Sequence, residues 1–492
     1  MENENTNTQS KVKSPLLFGR TVIYSKYQKA DITNIIEILK NAYEVHLNNL
    51  SQIEYLIGYY KGNQPILQRV KSVRPEINNM VVENHANEIV QFKTGYLLEK
   101  PIQYVARKDE VDDKSIEFLN DCMLLENKES KDKSLANYQA ICGTAYRLCL
   151  PNRRYDGSNS PFNIYNISPR NSFVVYSTAI GNPPLVGVVY YSRKNANGDE
   201  EVVIQAYTET EYFEYIYGKA VLERRTNHIY GGIPLVEYPF NDERIGAFEI
   251  VISLLDSINL VESNRVDGVE QFIQSLLVFK NVDITKGDLK ELLELGAIKI
   301  NDNGEIEANV QYLVQELNQE QVQKLKDDML EVVYKIAGLP SRATTGSGDT
   351  GSAVIYRNGW EEAEARTQET ELIFKGSERE FLKFVLRYTR ILTSGKYVIN
   401  LGDIEIKFTR RNYENTMQKA QILDLMLKNP KIAPRLAFTT CGLFMDSENA
   451  FKESEEYYKA EMEKQKQTQQ TPPAQEVITN ENQWYYTLGK WY

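Results

Sequence analysis

The chain has 492 residues, 42% hydrophobic and 25% charged, enough for several domains with substantial cores and ordinary for a globular protein. Its net charge of −11 argues against a broad grip on nucleic acid, which needs a basic face, but not against a duct through which DNA slides without sticking. No apolar run reaches the length of a membrane span, and Cys122, Cys142, Cys149 and Cys441 lack metal-ligand spacing, so neither a membrane protein nor a disulfide scaffold is expected.

Residues 1–29 are polar and then basic, which reads as a flexible arm with a short ordered end. Asp31-Ile32-Thr33 opens a helix whose stripe is Ile35, Ile36, Ile38, Leu39, Tyr43 and Leu47, continuing towards Tyr60. The stretch from Asn78 reads as a helix ending near Gly95, then an extended piece to Val105; Ser115–Lys128 and Ser134–Cys142 are helices. From Gly143 to Phe240 the period changes to two. The expected strands are Ala145–Leu150, Phe162–Ile167, Phe173–Tyr176, Val186–Ser192, Glu201–Ala206, Tyr212–Ile216 and Val221–Arg225, an antiparallel β-rich region. Thirty-two tyrosines suit half-buried strands or protein interfaces equally.

Helix returns at Gly246–Phe272 with Ile250, Leu254, Ile258, Val261, Val269 and Phe272 on one face. A small insert follows, with strands at Leu276–Val282 and Ala297–Ile300 around a helix at Lys286–Leu295. A second long helix, Asn318–Ala337, has Val322, Leu325, Met329, Val332, Val333 and Ile336 as its apolar face. Two long helices bracketing a compact insert make a stalk with a head. The longest pattern, Ser352–Leu392, has a kink expected near Gly376. Asp403–Arg410 is a strand, Asn415–Lys428 and Ser447–Lys466 are helices, and a polar linker leads to the aromatic WYYTLGKWY.

The glycine-rich stretch Gly338–Trp360 lies between two of these long helices, where a mobile loop can touch something large that moves past it. Gly346, Gly351 and Ser352 nearly spell a phosphate-binding loop, but the lysine is missing and no strand precedes it, so nucleotide chemistry is not expected. The carboxylate pairs Asp242-Glu243 and Glu361-Glu362 lack a histidine or glycine framework and read as salt-bridging groups. No catalytic residue, metal site or cofactor is expected.

The order of parts resembles the portal proteins of tailed bacteriophages, especially long-tailed phages of Gram-positive bacteria, over about residues 30–465. The segments that carry the resemblance are ENHANEIVQFKTGYLLEKPIQYV, GTAYRLCLPN, NISPRNSFVVYS, HIYGGIPLVEYPFNDERIGAFEIVISLLDSIN, GLPSRATTGSGDTGSAVIYRNGWEEAEA and GDIEIKFTRRNYENTMQKAQIL. The resemblance implies an α+β portal fold with wing, stem, clip and crown parts, assembled as a ring, usually of twelve subunits, around a central channel. The wing would be residues 30–245 completed by 352–410, the stem helices 246–272 and 318–338, and the clip 273–317. The tunnel loop would be 339–351, the spine helix and a wing strand 352–410, and the crown 411–470; residues 471–492 are a linker and aromatic tail outside the resemblance. It also implies a place at one capsid vertex of the virion, with assembly in the host cytoplasm. The implied partners are double-stranded DNA, the terminase large subunit, a head–tail connector, and major capsid and scaffolding proteins. The alternative is an oligomeric adaptor without a DNA channel.

Two sets of residues follow as candidates for the DNA path. The tunnel loop offers Arg342, Thr344, Thr345, Ser347, Gly348, Asp349 and Thr350, few charges and several hydroxyls, for passing contacts with the DNA backbone. The stem offers Glu249, Asp256, Glu262, Asp267 and Glu270, which would repel phosphate if they face a channel.

Overall fold

The computed structural model describes residues 19–107, 113–195, 197–273, 276–280, 309–313, 319–340, 359–410, 416–444 and 447–469. The chain divides into two compact units, Met1–Arg411 and Asn412–Tyr492. Helix and strand are mixed in the first unit, and only helices occur among the described residues of the second.

Helix α1 (Ile35–Tyr60) serves two cores in succession. Its first half, through Ile35, Ile38, Leu39, Ala42 and Tyr43, packs on a six-stranded sheet. Its second half, through Ile53, Leu56, Ile57 and Tyr59, packs with the long helices described below. The expected stripe therefore fails at the changeover: Leu47 is exposed, while the polar His46 and Asn49 are buried. Asn49 bonds the Thr21 backbone in both directions, at 3.0 and 2.8 Å, and His46 Nε2 meets the Tyr190 hydroxyl at 3.1 Å.

The sheet contains β1 (Ile23–Ser25), β5 (Ser172–Ser177), β6 (Pro184–Lys194), β7 (Glu200–Tyr207), β8 (Glu211–Ile216) and β9 (Leu222–Asn227), in the order β1-β5-β6-β7-β8-β9. All neighbours pair antiparallel except β1, which runs parallel to β5. Within Gly143–Phe240 every pairing is antiparallel, as the sequence pattern predicts, and the parallel neighbour β1 comes from the N-terminal segment. The ordered end expected of that segment is described from residue 19 onward, with Arg20 and Ile23 buried. Residues 1–18 lie outside the described residues.

A second core lies where β3 (Thr144–Pro151), β4 (Phe162–Ile167) and β10 (Leu235–Pro239) form a sheet in the order β10-β3-β4. Beside it β2 (Gln103–Ala106) pairs antiparallel with β13 (Ile404–Lys407). Helices α3 (Asp113–Leu125), α4 (Lys128–Cys142) and α7 (Trp360–Leu392) supply the rest, with Phe374, Phe381, Leu382 and Val385 of α7 fully buried. Helix α7 is assigned without interruption through Gly376. Gly143 ends α4 at φ +77, and a Cβ there would stand 1.9 Å from the Arg244 carbonyl oxygen, so only glycine turns the chain into β3 at this point.

The third core joins the end of α1 to α2 (His85–Leu97), α5 (Ile252–Ile273) and α6 (Gln319–Ala337). Beyond α5 and before α6, β11 (Leu276–Lys280) pairs antiparallel with β12 (Asn309–Leu313). The sequence pattern predicted β11 but not β12. The helix expected at Lys286–Leu295 and the strand at Ala297–Ile300 lie outside the described residues.

In the second unit, α8 (Thr416–Leu427), α9 (Pro434–Cys441) and α10 (Ser447–Gln469) gather around Ala437, Phe438 and Cys441. Phe438 stacks on Phe444 at 5.2 Å and meets Phe451 edge-on at 5.8 Å. Helix α9 was not anticipated, although Pro434 stands at its start, where a missing N–H costs nothing. No described helix in either unit is long and apolar enough to cross a membrane.

Candidate functional site

Helices α5 and α6, the expected stem, run antiparallel, because contacts pair rising with falling numbers. Arg265 donates to Gln319 at 2.9 Å and Gln323 at 2.7 Å, Glu262 meets Lys326 at 2.9 Å, and Leu255 and Ile258 share a core with Val333 and Ala337. The predicted apolar faces divide in two. Val333 is buried and Met329 partly so, whereas Leu325, Val332 and Ile336 are exposed at spacings of seven and four residues, one stripe of α6. On α5, Ile258 is buried but Leu260 and Val269 are exposed, as is Ile250 in the turn just before the helix.

The face that α5 turns inward is largely polar, and the segment between α1 and α2 is strapped across it. The Asn259 side chain accepts from the Glu83 amide at 2.8 Å and bonds Gln64, and Ser263 accepts from the Val81 amide at 2.9 Å. Asp267 accepts from the Asn79 amide at 2.7 Å and pairs with Lys71 at 2.9 Å and Arg69 at 3.0 Å. Burial would push the Asp267 carboxyl up, but the Asn79 and Lys71 bonds outweigh it and hold it below the usual carboxylate range.

These contacts use the carboxylates that the sequence placed on a free acidic wall. Glu249, Glu262 and Asp267 are buried within the chain itself. Glu249 pairs with Arg20 at 2.6 Å, Asp256 accepts from the Tyr59 hydroxyl at 2.9 Å, and Glu270 accepts from Asn79 at 2.8 Å. Burial holds the Asp256 carboxyl above its ordinary value despite the Tyr59 bond. All five are therefore committed to partners inside one subunit, because polar groups taken from water need hydrogen bonds. The signal that could have warned of this is the strap's own content of side-chain amides, Gln64, Asn78, Asn79 and Asn84.

The tunnel-loop candidates Arg342, Thr344, Thr345, Ser347, Gly348, Asp349 and Thr350 lie outside the described residues. The flanks of that stretch are fixed, and both rest on α2. On the near side, Lys93 donates to the Gly338 carbonyl at 3.4 Å and Arg366 of α7 donates to the Ile336 carbonyl at 2.6 Å, a cation on the free carbonyls ending α6. Gly338 has φ +65, and a Cβ there would lie 2.4 Å from Arg366 Cδ. On the far side, Trp360 packs on Phe92 and Tyr96 at 6.0 and 5.9 Å between ring centres. The Tyr96 hydroxyl donates to Glu364 at 2.8 Å, and Glu364 is held by Arg410 at 2.7 Å. Burial, with Arg366 nearby, pushes the Lys93 ammonium down to about 8.

Among the described residues, no group of histidine, cysteine and carboxylate side chains could hold a metal ion. What the geometry offers is an antiparallel pair of long helices anchored by a strap, with a stretch between α6 and α7 whose two flanks sit on a common platform. A family model described as phage portal protein, SPP1 Gp6-like, matches residues 39–470, which takes in all of these parts. The chain belongs to this portal family. The portal protein of Bacillus phage SPP1 is 23% identical over 269 residues, covering 51% of this chain and 52% of that relative. The match thus spans about half the length of the curated relative. Among solved structures, the neck of an empty GTA particle computed with C6 symmetry is similar at 12% identity and a TM-score of 0.38, covering 73% of this chain and 90% of that one.

Proposed function

We propose that the chain is a portal subunit: copies close into a ring at one capsid vertex, and double-stranded DNA enters and leaves the particle through the ring's channel. The observation that carries this reading is the family match over residues 39–470, which includes both stem helices and the stretch between α6 and α7. The exposed stripe Leu325, Val332 and Ile336 supports it, because a helix with apolar side chains on two faces needs a partner for the second. In this reading residues 30–245 with 352–410 make the wing, α5 and α6 the stem, 273–317 the clip, 339–351 the tunnel loop and 411–470 the crown. Terminase docks during packaging and a head–tail connector afterwards, with capsid and scaffolding proteins around a ring of twelve subunits. The role is structural and calls on no catalytic group.

The five stem carboxylates have no part in this version as a free repulsive wall, since each is already bonded inside the subunit. The decisive experiment is the mass of the purified full chain at micromolar concentration. A closed ring of a fixed multiple of 56.7 kDa is expected, and a species that stays at the single-subunit mass would defeat the portal reading. An open or variable assembly that does not admit duplex DNA would favour the adaptor instead.

A further inference from the structure

His85 opens α2 between two carboxylates. Its Nε2 lies 2.9 Å from Glu83 Oε2, and its Nδ1 lies 2.9 Å from Glu88 Oε2. An ionised carboxylate can only accept, so both bonds exist together only when both ring nitrogens carry protons. The other oxygens of the same two carboxylates face the stem. Glu83 Oε1 accepts from Lys326 Nζ at 2.6 Å, and Glu88 Oε1 accepts from the Tyr334 hydroxyl at 3.1 Å. From α5, Glu262 meets Lys326 at 2.9 Å and Arg265 at 3.3 Å. The group therefore holds the anions Glu83, Glu88 and Glu262 against Lys326 and Arg265, and it balances only when His85 is charged.

We propose that His85 is a proton-operated latch that fastens stem helix α6 to helix α2. With its proton the ring holds Glu83 and Glu88 where they receive Lys326 and Tyr334. Without it one carboxylate loses its donor, the two anions repel across the ring, and the hold on α6 at Lys326 and Tyr334 loosens. The His85, Glu83 and Lys326 side chains are 16%, 23% and 16% exposed, so solvent only partly screens that change.

The position itself argues that the carboxylates are there for the proton. A cation in the first turn of a helix opposes the helix dipole, and burial also favours a neutral ring. Burial does push His85 down, but the Glu88 and Glu83 bonds more than offset it and hold the ring above its ordinary value. The remaining histidines go the other way: burial takes His46 down to about 4 and also lowers His228. A histidine whose folded value is raised stabilises fully below the unfolded value of about 6.5 and loses that contribution as pH rises through the folded one. The latch accordingly opens as pH rises through a value above 6.5. This goes beyond the portal reading and does not depend on ring formation.

The test uses the full chain and two mass-spectrometric measurements. Deuterium exchange at the imidazole C2 position gives each histidine its own titration midpoint, even in a large assembly. Backbone amide exchange over Gln319–Ala337, corrected for the intrinsic pH dependence of exchange, reports the hold on α6. The His85 midpoint is expected above 6.5 and above both other histidines, and Glu88→Gln is expected to lower it. Exchange in α6 is expected to rise several-fold between pH 6 and pH 9 in the wild type and to be fast at both in His85→Gln. A midpoint at or below 6.5 would overturn the proposal. So would a raised midpoint with α6 exchange indifferent to pH, which would make the cluster a static ion pair. Should His85→Gln not fold, the wild-type titration and Glu88→Gln decide the matter alone.

Discussion

Arg20 and Glu249 are 229 residues apart in the chain and 2.6 Å apart in the fold, with side chains 1% and 3% exposed. The pair closes the point where the chain enters α5. Glu249 also accepts from the Gly246 amide at 2.8 Å, and Arg20 donates to the Cys142 carbonyl at 3.3 Å. The start of the stem, the end of α4 and the ordered end of the N-terminal segment are thus held by two side chains.

Removing one partner of such a pair leaves a charge buried without compensation, which costs about 3–5 kcal/mol. Arg20→Ala is expected to lower the urea midpoint of the subunit accordingly. Arg20→Met with Glu249→Leu is expected to recover only part of the loss, because the Gly246 amide loses its acceptor. Urea titrations of the three proteins check this, and an Arg20→Ala midpoint equal to wild type would contradict it.

A second buried group joins α7 to α4 and to strands β2, β3 and β10. Glu378 receives the Tyr238 hydroxyl at 2.8 Å and bonds Tyr104, and it pairs with Lys128 at 3.0 Å; Arg147 meets Asp132 at 2.6 Å and Glu378 at 3.5 Å. Two cations and two anions balance in a space closed to water. Burial would raise the Glu378 carboxyl, but Lys128 and Arg147 outweigh it and hold it below its ordinary value. Its contribution is therefore present above the unfolded value of about 4.3 and lost as pH falls through the lower folded one. Glu378→Gln is expected to cost about 3–5 kcal/mol at pH 7. It is also expected to flatten the fall of stability below pH 4.3, measured as urea midpoints from pH 7 to pH 3.

Much of this architecture could be read from the sequence where a run is long and periodic. Strands β3 to β9 each run six or more residues between turn clusters, and α5 and α6 both carry a helical repeat. The elements that escaped are short or disguised. Ile23-Tyr24-Ser25 is only three residues long and pairs with a strand some 150 positions away, and Leu235–Pro239 ends in a proline that suggests a loop. The site was harder for a physical reason. A count of acidic residues along α5 gives their spacing, but whether they face water depends on the strap at Gln64–Asn84, which no local pattern in α5 encodes. His85, Glu83 and Glu88 were legible as neighbours; their meeting with Lys326 and Tyr334 is tertiary.

Lys93 offers a test at the edge of the stretch between α6 and α7. Its depressed value of about 8, against 10.5 for a free lysine, means that the unfolded chain binds more protons between those values, so stability rises with pH across that window. The charged form is penalised on the order of 3 kcal/mol, and its one carbonyl bond, at 3.4 Å, is long. Lys93→Met is expected to be at least as stable as wild type at pH 7 and to lose the extra rise between pH 8 and 10.5. A clear destabilisation at pH 7 would mean that the Gly338 contact outweighs the burial of the charge.

The last prediction separates assembly from passage of DNA. Val332 lies on the exposed stripe of α6, in the packed part of the stem, and a carboxylate there would be repeated at every subunit contact. Val332→Glu is expected to leave the subunit folded and the assembled mass reduced. Asp349 lies outside the described residues; on the proposed reading of 339–351 as the tunnel loop, a lysine there repeated around a ring would add a cationic collar facing phosphate. Asp349→Lys is therefore expected to assemble normally but to package less DNA per particle, and to do so more severely at low salt, where screening is weaker. Gly348→Pro is expected to impair packaging for a different reason, lost backbone freedom, without the salt dependence. If both loop variants package normally while Val332→Glu still blocks assembly, the stem belongs to the ring but the loop does not line the DNA path.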